Sequence, residues 1–272
     1  MPSNPFIGDG LHVVEYFRGI WAARYFWWHL SMADLRSRWR RSFFGFFWSI
    51  LQPLGLTLLL SFVFSNIFGT TIGAYAPYIF SGMITWEFVV STIVGGALAF
   101  VQADAYIKQT RHPLAIYTLR NVLSGLTVFA AAGSALIIWI LLMFPQNLSW
   151  SWIAVPTIFP ILAMITWPWA TLMAYIGTRF RDLPHALGLV LQAMWFVSPI
   201  YFEESVFRRG DLHLFLDYNP IYHLLEIIRA PLLRGEFPTV TNYVWCLGTA
   251  LLLAILASLV GRRSERRVIF YL

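Results

Sequence analysis

The sequence predicts an all-α, polytopic membrane protein with six transmembrane helices, an N-terminal amphipathic interfacial helix and an outer re-entrant helical hairpin. Three observations carry that prediction. Of 272 residues, 58% are apolar and only 12% charged, about half the charged fraction of a soluble domain. No Asp, Glu, Lys or Arg occurs between Ser42 and Trp86. The apolar runs are continuous, as helices that cross a bilayer in roughly 18–25 residues require. A membrane β-barrel would show short alternating segments instead. A disordered chain and an ordinary soluble enzyme are excluded.

Residues 1–45 are expected to form a cytoplasmic amphipathic segment, and residues 46–272 the transmembrane domain. The start, MPSNPFIGDG, has neither a basic n-region nor an apolar h-region. No cleavable signal is expected, and insertion rests on the internal spans. In residues 11–41, Val13, Phe17, Ile20, Trp27 and Leu30 share one helical face, with Glu15, Arg18, Tyr25 and His29 opposite. Arg24 falls on the apolar side and must snorkel. The pattern predicts an amphipathic helix in the inner interface, ending in the basic cluster Arg36, Arg38, Arg40 and Arg41.

Six spans follow: Phe46–Phe68, Tyr78–Phe100, Asn121–Phe144, Trp152–Ile176, His185–Phe202 and Tyr243–Val260. An even number puts both termini on one side. The segments on that side carry 15 Lys and Arg and the other connections four, so the positive-inside rule makes both termini cytoplasmic. Between spans five and six, Glu203–Asn242 holds two short apolar halves, Val206–Leu216 and Ile221–Leu233, parted by Asn219-Pro220. Proline breaks a helix there, and a re-entrant hairpin over about 203–242, dipping in from outside, is the expected shape. No internal repeat is visible, which argues against an inverted-repeat carrier.

The absent chemistry narrows the function. The net charge of +6 comes from arginine, Lys108 being the single lysine. In a membrane protein this excess points to anionic headgroups, not nucleic acid. Lys108 follows Ala105-Tyr106-Ile107 rather than glycine, so no P-loop cradles ATP phosphates. Cys246, alone in an apolar run, excludes a disulfide framework and a cysteine metal site. The six His are scattered without metal-ligand spacing, and no nucleophile–base pair appears. No catalytic residue, metal or cofactor is expected on this chain. Glu87 reads as an interfacial carboxylate about a turn inside the outer end of span two, reaching outer water beside Trp86, in preference to a proton or cation site. A proton-coupled carrier is disfavoured, and the driving energy is expected from another subunit.

Two sets of side chains suit a substrate. The arginine cluster anchors span one, and Arg38, Arg40 and Arg41 also suit the pyrophosphate of a lipid at the inner leaflet, because guanidinium offers paired donors. Most of the 48 aromatic residues are expected in interface belts and packing. Aromatic faces also suit the C–H faces of sugars, and Trp195 and Tyr201, flanking the break at Ser198-Pro199, are the candidates to line a conduit.

Four stretches bear on family: RRSFFGFFWSILQPL at 40–54, TRFRDLP at 178–184, Ser198-Pro199-Ile200-Tyr201, and Asn219-Pro220 through Ile228-Arg229. Together, in order and over nearly the whole chain, they resemble the membrane subunit of ABC-2-type (type V) exporters of bacterial polysaccharides, the O-antigen, teichoic acid and capsule permeases. The first stretch leans toward the O-antigen and teichoic acid type. The resemblance implies a homodimer with two ATP-binding cassette subunits, which carry the ATP and Mg, and a channel at the dimer interface. The substrate it implies is a lipid-linked glycan, most often on undecaprenyl pyrophosphate, drawn from the inner leaflet of the bacterial inner membrane.

One motif departs from the family pattern. After Ile107-Lys108 the family carries Phe-Pro-Arg-Glu, where this chain has His112, Pro113, Leu114 and Ala115. The loop Asp104–Arg120 is still the expected contact with the ATPase, through Lys108, Gln109, Thr110, Arg111, His112 and Pro113. Lys108 and Arg111 stand three apart on one side of a short helix that Pro113 closes, a positively charged knob for a partner to grip. Arg179, Arg181 and Asp182 mark the second cytoplasmic loop. Competing readings are an ABC-2 exporter of teichoic acid, capsule polymer or a small drug or lipid. A membrane-embedded glycan enzyme is further off, since it needs facing acid–base carboxylates.

Overall fold

A computed structural model describes residues 12–40, 42–69, 71–110, 112–208 and 213–272, and every regular element among them is helical. In order these are α1 (His12–Ala22), α2 (Arg24–Trp39), α3 (Trp48–Phe68), α4 (Ile72–Gln102), α5 (Asp104–Gln109), α6 (Ala115–Met143), α7 (Ile158–Arg179), α8 (Leu183–Val197), α9 (Glu204–Arg208), α10 (His213–Asp217), α11 (Pro220–Arg229) and α12 (Val240–Tyr271). Short 3₁₀ turns precede α3 and α7, and a π turn, Ala230–Arg234, follows α11. Helix is the outcome that sequences apolar on every face demand, because it satisfies each backbone group within its own segment.

Among the described residues five helical segments are long and apolar enough to cross a membrane: Gly45–Ile67, Tyr75–Gln102, Ala115–Met143, Trp150–Arg179 and Val240–Glu265. They match five predicted spans and run beyond most of their predicted ends. The span predicted at His185–Phe202 is different. Its helix, α8, has 15 residues, about 22 Å at 1.5 Å per residue and short of a hydrocarbon core of roughly 30 Å. Pro199 supplies the reason, since it holds Ser198 in an extended conformation (φ −101°, ψ 145°) and cannot donate to the next turn.

α7 sits at the centre, packed between α4 and α12, while α4 also meets α3, α6 and α8. A Cβ at Gly177 would stand 2.1 Å from the Ala97 carbonyl oxygen, so α4 and α7 approach this closely only because that side chain is missing. Hydroxyls and amides tie the long helices together, as in Thr118–Thr171 at 2.7 Å and the Asn121 amide donating to the Thr92 carbonyl at 3.0 Å. α3 is the least covered span and exposes Leu58, Leu59, Phe62 and Ile67.

The N-terminal segment is helical as predicted, nearly continuous through Ala23, and its inward face keeps Ile20, Trp27 and Leu30 of the predicted apolar set but not Phe17. Ile20, Ala23, Ser31 and Leu35 are buried, with Tyr16, Trp27 and Leu30 beside them. Phe17 is 55% exposed. Arg24, expected on the apolar side, is exposed and sits 4.7 Å from the Tyr25 ring. The cause is that α2 docks on α6, so the contact face is set by protein as well as by lipid. Val14, Phe17, Trp21, Tyr25 and Trp28 form a second stripe, exposed, three or four residues apart.

In the segment after α8, the Asn219 side chain accepts from the Ile221 N–H at 2.9 Å and caps α11, with Pro220 in the first turn, where its missing N–H costs nothing. α11 is buried from Ile221 to Arg229. Of the first limb, predicted over Val206–Leu216, the short helices α9 and α10 are described, and residues 209–212 lie outside the described residues.

Candidate functional site

The predicted residues gather at the two ends of the bundle. At the end that carries α5, α2 lies along α6. Ser31 and Ser124 share a hydroxyl hydrogen bond of 3.0 Å, and Asp34 faces Arg120 at 3.4 Å. The Ala115 N–H donates to the Tyr16 hydroxyl at 3.2 Å, and the Trp167 indole donates to the Ala115 carbonyl at 3.0 Å. Burial pushes the Asp34 carboxyl up from its ordinary value while the Arg120 guanidinium draws it down. Burial also raises the Tyr16 phenol, and Glu265 adds to the rise.

The arginine cluster splits. Arg36 and Arg40 open onto a groove of about 500 Å³ with His29 and Ser37. Arg38 turns to the other flank of α2 and lines a small cavity with residues of α3, α4 and α6. A turn of 3.6 residues explains the division, since positions two apart in a helix point to opposite sides. Arg41 lies outside the described residues.

On α5, Lys108 pairs with Asp104 at 2.8 Å. The positive knob expected there is therefore neutralised at Lys108 by its own helix; Arg111 lies outside the described residues. Gln109 is exposed. The Thr110 hydroxyl donates to the Tyr106 carbonyl at 2.9 Å and lies 3.2 Å from the Tyr117 hydroxyl. Pro113 is buried, and the His112 ring lies 4.8 Å from the Phe26 ring of α2. Phe26 also meets Tyr106 and Tyr117 edge-on, at 6.1 and 6.4 Å. The α5 loop and α2 are thus one packed unit, a contact invisible in sequence. In the second loop, Arg179 ends α7 with its guanidinium 5.7 Å from the Phe180 ring. Arg181 and Asp182 are exposed, and the Asp182 carbonyl accepts from His185 at 3.1 Å where α8 begins.

At the opposite end, residues 198–202 leave α8 without helical structure. Tyr201 is buried. Its ring lies 5.4 Å from both Phe64 and Trp195, and its carbonyl accepts from the Tyr75 hydroxyl. Trp195 is partly exposed, and its indole N–H has no acceptor among the described residues.

The residue that organises this end is Arg229, named beforehand only as the close of a family-like stretch. It is 1% exposed. Its guanidinium donates to the carbonyls of Pro199 (2.6 Å), Ile200 (2.8 Å) and Tyr78 (3.2 Å) and to the Ser81 hydroxyl (3.2 Å), and sits 3.7 Å from the Tyr78 ring centroid. Gly82 leaves the space, since a Cβ there would lie 2.5 Å from the Ile200 carbonyl oxygen. Backbone carbonyls as partners leave no mark in a sequence. Nearby, Glu226 pairs with Arg234, and His223 bridges Asn242 and the Asp217 carbonyl, 2.9 Å each, so that α11 is fastened to α12.

Glu87 is not near an end of its helix. α4 begins at Ile72 and ends at Gln102, which puts Glu87 at the midpoint, and Trp86 beside it is buried.

Residues 25–233 match the family described as ABC-2 type transporter. The O-antigen export system permease protein RfbA of Klebsiella pneumoniae is 24% identical over 241 residues, covering 87% of this chain and 92% of the relative. RfbA of Myxococcus xanthus is 23% identical over 239 residues, with 87% and 92% covered. The polysialic acid transport protein KpsM of Escherichia coli is 21% identical over 218 residues, with 76% and 80% covered.

Proposed function

This chain belongs to the ABC-2 type transporter family, and from that premise we propose that it is the membrane-spanning permease subunit of an ATP-driven exporter of lipid-linked polysaccharide in the bacterial inner membrane. The observation that carries the reading is the alignment of relatives named for O-antigen and polysialic acid export over most of both chains. The α5 end faces the cytoplasm, in keeping with the charge balance of the connections. α8 continued by residues 198–202 makes a sixth crossing, and α9 to α11 dip in from the outer side.

Two copies enclose the path. Two ATP-binding subunits, which hold the ATP and Mg, grip the α5 loop and the second loop around Arg181. Arg36, Arg38 and Arg40 draw the anionic lipid headgroup to the inner leaflet. The packing of Phe26 on His112 supports a stroke that is delivered at α5 and felt at the basic helix. Reconstituted with its ATPase in proteoliposomes, the permease should move a radiolabelled lipid-linked glycan only when ATP is supplied. Transport of small amphipathic drugs without glycan would refute the reading in favour of a small-molecule ABC-2 exporter.

A further inference from the structure

Between Tyr75 and Phe100, Glu87 is the one exposed residue of α4 and the one charged residue. It stands roughly 22 Å from either end of the helix, and no ion pair reaches it among the described residues. A carboxylate at that depth does not face hydrocarbon; such groups face a partner or a polar path. The cavity onto which it opens supplies the rest: Arg38 from α2, Ser49 from α3, Ser91 from α4, and Gly125 and Ala132 leaving space on α6. Its volume is about 30 Å³, on the scale of a water molecule and too small for a sugar phosphate in this conformation.

The pairing of charges says what would fill it. A bare phosphate meets one guanidinium and one repelling carboxylate, which makes a poor anion site. A phosphate followed by a sugar fits both groups. The guanidinium takes phosphate oxygens in paired hydrogen bonds, and the carboxylate accepts from neighbouring hydroxyls.

We infer that Arg38 and Glu87 form a two-part site for an anionic glycolipid headgroup, Arg38 holding the phosphate and Glu87 the first sugar. The inference rests on the export reading above and adds the residues that read the sugar. Arg38 leaves the end of α2 and Glu87 lies deeper along α4, so the sugar leads and the phosphate follows. Filling the site requires the end of α2 that carries Arg38 to move on α6, where α2 is docked, and the joint between Phe26 and His112 is the handle that moves it.

The test uses the permease–ATPase complex in lipid nanodiscs and three probes: a polyprenyl pyrophosphate bearing one hexose, the same lipid without sugar, and soluble hexose 1-phosphate. Glu87→Gln should weaken binding of the sugar-bearing lipid about tenfold and leave the bare lipid unchanged, and Arg38→Gln should weaken both lipids. Glu87→Asp, which keeps the charge, should bind as wild type does. A cysteine at position 87, with Cys246→Ser, should react with a membrane-impermeant thiol reagent and be protected by the sugar-bearing lipid. Equal weakening of both lipids by Glu87→Gln, or an unreactive cysteine, would overturn the site and leave the export reading standing. Hexose 1-phosphate binding as tightly as the lipid would overturn the lipid assignment. A wild type that binds neither lipid would overturn the export reading and this site with it.

Discussion

Arg229→Met keeps most of the side-chain volume and removes every donor, which makes its effect calculable. Three of the four acceptors keep another partner. The Ser81 hydroxyl still donates to the Tyr78 carbonyl at 2.8 Å, and the Tyr78 hydroxyl still donates to the Pro199 carbonyl at 3.3 Å. The Ile200 carbonyl loses its donor at 2.8 Å. A buried acceptor stripped of its partner costs about 1–3 kcal/mol, and the lost charged bond to Pro199 about 1.5–3 more. Against this stands the relief of no longer burying a cation that lacks a facing carboxylate. The net loss is on the order of 3 kcal/mol, which lowers an apparent melting temperature by roughly 10 °C. Arg229→Lys keeps the charge but cannot reach both carbonyls at once, so it should fall between. The assay is thermal unfolding of the solubilised permease, followed by fluorescence-detected size exclusion. A methionine variant that melts with wild type, or a lysine variant that melts below methionine, would refute the clamp.

The other predictions concern function. Arg38, Arg40 and Arg41 changed together to Gln should reduce substrate loading about tenfold or more; wild-type export from a correctly inserted triple variant would leave these residues only an anchoring role. Cysteines at Gln109 and Thr110, with Cys246 replaced, should cross-link to the ATPase at short spacer length, and no better yield than at Gln146 would sink the contact. Tyr201→Ala should destabilise by about 3–5 kcal/mol, as loss of a buried ring does, while Trp195→Ala should cost less and act on polymer passage; equal melting of the two would contradict the burial described for Tyr201. Phe26→Ala should let the complex hydrolyse ATP while export falls, and a proportional loss of both activities would argue against transmission through that ring.

Much of the architecture was legible because a bilayer imposes few solutions. The charge-free run from Ser42 to Trp86 and the lengths of the apolar stretches located five long helices. Ser198-Pro199 and Asn219-Pro220 marked real breaks, since proline acts locally. What depends on contact was not legible. Arg229 reaches Ser81 across 148 positions and otherwise binds backbone, which no residue type signals. The split of Arg38 from Arg36 and Arg40 is a matter of helical spacing, but the cavity that Arg38 meets follows from where α2 docks. The same docking leaves Phe17 and Arg24, both expected on the apolar face, exposed. Glu87 was misplaced by the count of turns and not by the helix boundary, since nine residues separate it from the predicted start at Tyr78, about two and a half turns rather than one.

The seating of Phe26 against His112, Tyr106 and Tyr117 also limits how parts can be exchanged between transporters. Residues 12–40 and 104–120 are far apart in the chain yet form one packed body. A recombinant whose crossover falls between them would set a loop from one parent against a helix surface from the other. A working chimaera has to inherit both from the same parent, and a crossover beyond residue 120 achieves that. Fitting this permease to a foreign ATPase by grafting the α5 loop alone should therefore fail, and carrying α1 and α2 along with the loop should rescue it.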